Sequence, residues 1–496
     1  MRAIDDLITF ASWDATELAR RIAAGDLTAD EALDCSLAIA ALIDDRINAF
    51  VDLEEAVARE GVSKAGAGPL WGVPIAMKDC LGAVAGARRY YGSRLTKGDR
   101  LAADDEIVRR FRALGLVPFG TTNVPELSSS ITTESLLHGP CRNPWNLGHS
   151  VGGSGGGGAA AVAFGAVPLA YGNDSAGSIR IPASCCGLFG LKPSRGRVPT
   201  GPQYSEIWFG MMAQHVITRS VRDSALVLDH IEGVETGAPY AAPAKRGLYA
   251  DTLAHDPARL RIAVSNGAAN DIAIADDCAE ALADAAALLS DLGHEVIEAS
   301  PAYAHPQLCT HLSTLLAVSL AMELPATAAE NGRQVNAASV EACNLAMAAR
   351  GEASSARQLA EALDFKNAMA RRLGVFMTDF DVLLTPTLAR PPIPLGYLNA
   401  NQADSEDYLQ KKWTYGAFTP LANLAGVPSA TVPLHVNQDG LPVGVLLTAA
   451  YGREDVLFAL SGQLERARPW QQTKPALNIC HYQPQNPSWR PEPHLA

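Results

Sequence analysis

An excess of positive charge is the first thing this 496-residue chain lacks: 40 Lys and Arg stand against 53 Asp and Glu, a net charge of −13, and no basic run offsets it. Binding along a phosphate backbone is driven by Lys and Arg displacing counterions, so no nucleic-acid partner is expected. Metal signatures are missing as well. The nine cysteines are thinly spread with no CxxC pair, and no HExxH string occurs, so neither a disulfide framework nor a zinc site is read and no metal or cofactor is expected. The cysteines read instead as reduced, mostly buried, small apolar residues. The amino terminus lacks an uninterrupted apolar stretch, because Asp5 and Asp6 break it. No export signal is read, and a cytoplasmic protein is expected. Long apolar runs are scarce. The segment from Ser150 to Asn173 is free of Asp, Glu, Lys and Arg, but it opens on Gly and Ser and is interrupted by Pro168. A membrane helix is rich in Leu, Ile and Phe, so no membrane span is expected.

What the chain has is a globular composition, 48% hydrophobic and 19% charged, which supports a sizeable core and rules out a mainly disordered chain. Thr28 followed by Glu31 predicts a helix start, with Leu33, Leu37, Ala40 and Ile43 at helical spacing behind it. From residue 66 to 202 short apolar runs, Gly72 to Met77 and Leu116 to Gly120, read as buried strands. They alternate with the helical stretches Arg109 to Leu114 and Ala159 to Phe164, an α/β pattern. Residues 239–375 read as a peripheral, mostly helical region, with one strand-like stretch at Leu260 to Val264 and a helix from Asp276 to Leu292. The sheet is expected to be completed by residues 376–470, through Phe380 to Leu384 and Ala430 to Leu434. No linker and no solenoid repeat separates these pieces, so residues 1–496 are read as a single domain.

Chemistry concentrates between Ser150 and Val198. Glycine is entropically costly to fix, so a run this rich in it implies backbone in unusual torsions or close to a ligand. Gly153, Gly155 and Gly158 satisfy GxGxxG, but in a Gly-rich string the match is nearly automatic and no strong strand is read before it. Gly152, Ser154 and Gly156 satisfy GxSxG, an elbow that needs a strand, a sharp turn and a helix. There the helix is plausible and the strand is not, and the acid and histidine it would need, Asp381 and His481, have no pattern around them. A third reading joins Lys78, at the end of an apolar strand-like run, to Ser154 and Ser178, which lie 24 positions apart in Gly-bounded turns. Taken singly, Lys78 reads as salt-bridged to Asp79 and the serines as turn residues. The trio is more informative than its members.

The strings GGSGGGG and GNDSAGSIRIPASCCGLFGLKPS, the lysine in GVPIAMKDC, DFDVLLTPT at Asp379 to Thr387 and NLAGVPSATVP at Asn423 to Pro433 together resemble the amidase signature family of Ser/cis-Ser/Lys hydrolases. The resemblance covers most of the chain and implies the fold, a large twisted mixed β-sheet covered by helices on both faces. It places the family's nucleophile on Ser178, its cis-serine on Ser154 and its base on Lys78. The backbone N–H groups of Ser175, Ala176, Gly177 and Ser178 fall on its oxyanion hole, and Asp174 and Arg180 on positions that support the loop. It also implies a small-molecule amide substrate, a cofactor-free mechanism and a homodimer. For Lys78 to act as base its ammonium must lose a proton near neutrality, well below an ordinary lysine value of about 10.4, and burial supplies that direction.

Gly155, Asn173, Ser175 and Ala176 depart from the family's usual residues and leave the trio intact. TTE, RNPWNLG, SVGGSGGG and AAYGRED resemble most the family members that hydrolyse the 6-aminohexanoate cyclic dimer. Two pocket positions of that subgroup, where Asn and Cys are expected, fall on Ser129 and Leu316. Trp208, Phe209, Met211 and Met212 follow the signature and read equally as a cleft wall or as core. A carbamate or ester hydrolase stays open, because the same acyl-enzyme chemistry serves each leaving group. A glutaminase-type amidotransferase subunit is disfavoured, because Ile181 follows SIR where that subgroup has Gln.

Overall fold

Apolar runs bounded by Gly and Pro become the strands of one large sheet in the computed structural model, which describes residues 4–64, 67–266, 272–302, 305–402 and 404–482. The expected boundary at residue 66 lies outside the described residues. Eleven strands among the described residues build the sheet. In chain order they are β1 (Phe50–Asp52), β2 (Pro74–Lys78), β3 (Val117–Thr122), β4 (Leu169–Asp174), β5 (Phe189–Lys192) and β6 (Ala213–Thr218). The remaining five are β7 (Arg261–Val264), β8 (Glu295–Glu298), β9 (Val382–Pro386), β10 (Ser429–Val436) and β11 (Pro442–Ala449). Their spatial order is β1-β3-β2-β4-β6-β5-β10-β11-β9-β7-β8.

The pairing is mixed. β2 lies parallel to both β3 and β4, whereas β6 runs antiparallel to β4 from Ala213 opposite Asp174 to Thr218 opposite Leu169. The central strands β2, β3, β4, β5 and β6 are buried at every position. That explains why the runs that become β2 and β3 read as continuous apolar or small-residue stretches rather than as alternation.

The region 239–375 lies at one edge of the sheet and also contributes to it. β7 pairs parallel with β8 and with β9, and the helix Asp276–Asp291 connects β7 to β8, so this segment extends the sheet by two strands. The reason is visible in β7 itself, where Ile262 and Ala263 are fully buried. Among the described residues the later helices of the region, from residue 305 on, stand off the sheet.

The stretch weighed as a membrane span is interior. Its first half forms the helix α1 (Gly156–Phe164) and its second half β4, all of it buried. Glycine is required where α1 meets its neighbours: a Cβ at Gly157 would lie 2.5 Å from the carbonyl oxygen of Ala49. After α1 come α2 (Arg180–Cys186), α3 (His305–Asn331), α4 (Ala342–Glu352), α5 (Ala356–Phe376) and α6 (Ser405–Tyr415). Among the described residues α3 alone is long and apolar enough to cross a membrane, with a mean hydropathy of 1.4 over its best window. It packs instead on α4 and α5, burying Leu308, Leu312, Leu320 and Leu324 in a second apolar cluster beside the sheet. The Thr28 capping box forms, with Glu31 N–H donating to Thr28 Oγ1 at 3.2 Å and Thr28 N–H to Glu31 Oε2 at 2.8 Å. All nine cysteines are free thiols, six of them buried.

Candidate active site

β2 delivers Lys78 to the floor of the site. The strand is buried along its length, and Lys78 at its end is 2% exposed. Its Nζ lies 2.8 Å from Ser154 Oγ, 2.6 Å from Asn173 Oδ1 and 3.3 Å from the Asn173 carbonyl oxygen. The salt bridge to Asp79 does not form. Asp79 turns away and accepts the backbone N–H groups of Tyr90 at 2.8 Å and Gly92 at 3.0 Å, and burial pushes its carboxyl up to about 6. Burial pushes Lys78 down to about 8, against an opposing pull from Cys80 and Asp174. A neutral amine has two N–H donors and one lone pair. Asn173 offers two acceptor oxygens for the donors, which leaves the lone pair for the Ser154 hydroxyl.

Ser154 is reached through a cis peptide bond from Gly153, and its loop leads into α1. A Cβ at Gly153 would come within 2.5 Å of the Thr132 carbonyl oxygen, so the turn closes only on glycine. A short strand, Asn146–Ser150, does precede Ser154, which differs from the reading of no strand there. It pairs with Arg142–Asn143 in a separate hairpin and not in the main sheet, so the geometry of a nucleophile elbow is absent. Asp381 accepts the Arg261 N–H and His481 Nδ1 contacts the Pro475 carbonyl; neither lines the cavity that holds the serines.

Ser178 sits in the loop from β4 to α2. Its carbonyl accepts the Gly155 N–H at 3.1 Å, which ties the two serine loops together. The loop is wound around Asp174, whose buried carboxylate accepts the N–H groups of Gly177 at 2.8 Å and Ile179 at 3.2 Å, and Arg180 Nε and Nη2 at 2.9 Å each. Asn423 adds its Nδ2 at 2.9 Å, and Arg180 reaches on to the Thr419 carbonyl at 2.9 Å and Asn423 Oδ1 at 2.6 Å. Burial alone would raise the Asp174 carboxyl, but the Arg180 guanidinium and these hydrogen bonds outweigh it and hold it well below the usual carboxylate range. Because the Gly177 N–H is turned inward to Asp174, it is not free to meet a substrate, which corrects the four-donor expectation. The N–H groups of Ser175, Ala176 and Ser178 have no acceptor among the described residues.

Ser154 and Ser178 open onto a cavity of about 480 Å³, a size typical of small-molecule sites. Trp208, Phe209 and Met212 wall it, whereas Met211 is packed into the apolar cluster behind. Ser129 lines the cavity, but its hydroxyl lies 2.7 Å from Asn344 Oδ1 and 2.9 Å from the Glu126 carbonyl, so its proton is committed within the protein. The Leu316 expectation fails. Leu316 is 2% exposed within the apolar cluster, and α3 reaches the cavity only from Ser319 onward, through Met322, Glu323 and Glu330.

A buried amine against a cis-serine, with a second serine in a donor-rich loop, is the constellation that the sequence resemblance implied. A family model described as Amidase matches residues 31–458. The chain belongs to the amidase signature family. It is 36% identical over 477 residues to a 6-aminohexanoate-cyclic-dimer hydrolase from Paenarthrobacter ureafaciens, covering 94% of this chain and 96% of that protein. The solved structure of a 6-aminohexanoate cyclic dimer hydrolase superposes with a TM-score of 0.89 at 35% identity, covering 94% of this chain and 99% of that one. A bacterial aryl acylamidase of the amidase signature family follows at 0.85 and 26% identity, covering 95% and 99%. As an amidase-signature enzyme the protein is a hydrolase of amide bonds.

Within this amidase three contributors escaped the sequence reading. Asn173, noted only as a departure from the family pattern, bonds Lys78 directly and fixes its own amide by donating Nδ2 to the Cys80 carbonyl at 2.8 Å. Thr419, whose Oγ1 donates to the Ala176 carbonyl at 2.6 Å, and Asn423 brace the Ser178 loop from more than 200 positions away. Asn423 opens the NLAGVPSATVP string, but no local pattern pairs it or Thr419 with the Ser178 loop.

Proposed function

We propose that the protein cleaves a small neutral carboxamide through an acyl-enzyme on Ser178, with Lys78 as the base and Ser154 as the relay. The observation that carries this reading is the buried Lys78 amine 2.8 Å from Ser154 Oγ, with no carboxylate paired to it among the described residues. Neutral Lys78 takes the Ser154 proton as Ser154 takes that of Ser178, and Ser178 Oγ attacks the amide carbon. The N–H groups of Ser175, Ala176 and Ser178 receive the negative charge that develops on the carbonyl oxygen. Collapse breaks the C–N bond, and the departing nitrogen takes the proton back through Ser154. Water then repeats the sequence on the ester, giving the acid and regenerating Ser178.

The 6-aminohexanoate cyclic dimer is the first substrate to test, because two relatives that act on it by name match nearly the whole chain. Mass-spectrometric detection of products from that ring, set beside aliphatic and aryl amides and a carbamate, is expected to show ring opening to the linear dimer. Turnover of only the simple amides moves the substrate and keeps the mechanism. Turnover of carbamate or ester alone overturns the amide preference.

A further inference from the structure

We propose that Lys412 binds a second acceptor oxygen of the substrate, the carbonyl of a neutral amide remote from the scissile bond, and so selects compounds carrying two amides. The proposal deepens the amidase reading above and rests on it. Lys412 lies on α6 and lines the same cavity as Ser154 and Ser178, yet it is only 2% exposed. Its Nζ donates to the Ser129 carbonyl and sits 4.7 Å from the centroid of the Trp413 ring. No carboxylate pairs with it among the described residues. A lysine amine carries two N–H donors when neutral and three when charged. One is used on Ser129 and the Trp413 and Tyr408 rings flank the amine, so at least one N–H has no protein oxygen to meet it beside the cavity. A buried donor left unmet is costly, and a site built to hydrogen-bond a substrate group discriminates strongly against an analogue lacking it.

The rest of the wall says which acceptor fits. Glu206, Glu323 and Glu330 also face the cavity. Glu206 accepts the Tyr240 hydroxyl at 2.6 Å, while burial pushes the Glu323 carboxyl up to about 7. Three carboxyl groups lining the same cavity disfavour an anionic ligand there and favour a neutral carbonyl. Between these polar points lie Trp208, Phe209, Met212 and Trp413, an apolar surface suited to a hydrocarbon spacer. A diamide with methylene chains satisfies both demands. Burial also pushes Lys412 down to about 7, which keeps it a donor in either protonation state.

The test is calorimetric binding to the Ser178→Ala protein, in which no turnover interferes. The probes are the 6-aminohexanoate cyclic dimer and a lactam ring of the same size in which one amide is replaced by methylene groups. The affinity advantage of the diamide is expected to fall about tenfold when Lys412→Met is added, the loss of a hydrogen bond to a charged group. Lys412→Gln, which returns a neutral donor, is expected to retain part of that advantage, and it decides the matter if the methionine variant does not fold. An unchanged ratio in either folded variant, or no binding of the diamide at all, overturns the proposal. A Lys412-dependent preference for the linear dimer carboxylate overturns the neutral-acceptor assignment. Failure of the amidase reading is seen separately, as absence of Ser178-dependent turnover by the otherwise unaltered protein.

Discussion

Replacing Ser178 with alanine is expected to lower kcat for any amide the protein hydrolyses by roughly 10⁵- to 10⁶-fold, the loss seen when the nucleophile of a cooperating set is removed. The substitution deletes one oxygen at a residue 8% exposed, in a loop held by bonds that do not involve that side chain. Asp174, Arg180, Thr419 and Asn423 all remain in place, so substrate affinity and thermal midpoint are expected to stay near those of the parent. Steady-state kinetics beside a melting curve check both halves. Activity within tenfold of the parent would remove Ser178 from the chemistry. A large fall in the melting midpoint would instead assign it a structural part.

Lys78→Met is expected to cost roughly 10³-fold or more in kcat/KM, the scale of a positioned general base. The unaltered protein carries the matching pH signature. Burial brings Lys78 down to about 8, and only the neutral amine accepts a proton. kcat/KM is therefore expected to rise with pH through about 8 and to level off above it. In the methionine variant residual activity should lose that inflection. Lys78→Arg is not expected to restore the rate, because a guanidinium stays charged at every working pH. A parent profile flat between pH 6 and 10 would contradict the assignment of Lys78 as base.

Much of this arrangement was legible from the chain. The capping box at Thr28, the runs that become β2 and β3 and the helix α1 carry their own local signals, because propensity, spacing and turn residues agree there. Other strands are made by their surroundings. β4 reads LAYGND, with Gly, Asn and Asp that strands disfavour, and it holds because β2 and β6 pair with it on either side. β6 carries Gln214 and His215 into the core, where Gln214 Nε2 donates to the Pro199 carbonyl at 2.7 Å and His215 Nε2 lies 2.8 Å from Ser224 Oγ. Neither partner can be foreseen from a pattern of apolar residues.

The site divides the same way. Lys78, Ser154 and Ser178 lie inside recognisable strings, and the structure sets the lysine against Ser154 and both serines on one cavity. Leu316 missed by one helical turn: Ser319 and Glu323, on the same face of α3, reach the cavity, whereas Leu316 meets the apolar cluster first. Only the fold shows that Asp174 bends back to capture the Gly177 N–H. Lys412 gave no local sign at all, since its burial depends on α6 closing over Ser129.

In the proposed mechanism the acyl group is carried by Ser178. Intact-protein mass spectrometry after rapid mixing with a slowly deacylating ester, followed by peptide mapping, shows where that group sits. One acyl adduct is expected on the peptide containing Ser178, absent from Ser178→Ala and strongly slowed in Lys78→Met. An adduct on a different residue, or amide turnover with no covalent species at any time, would contradict that mechanism.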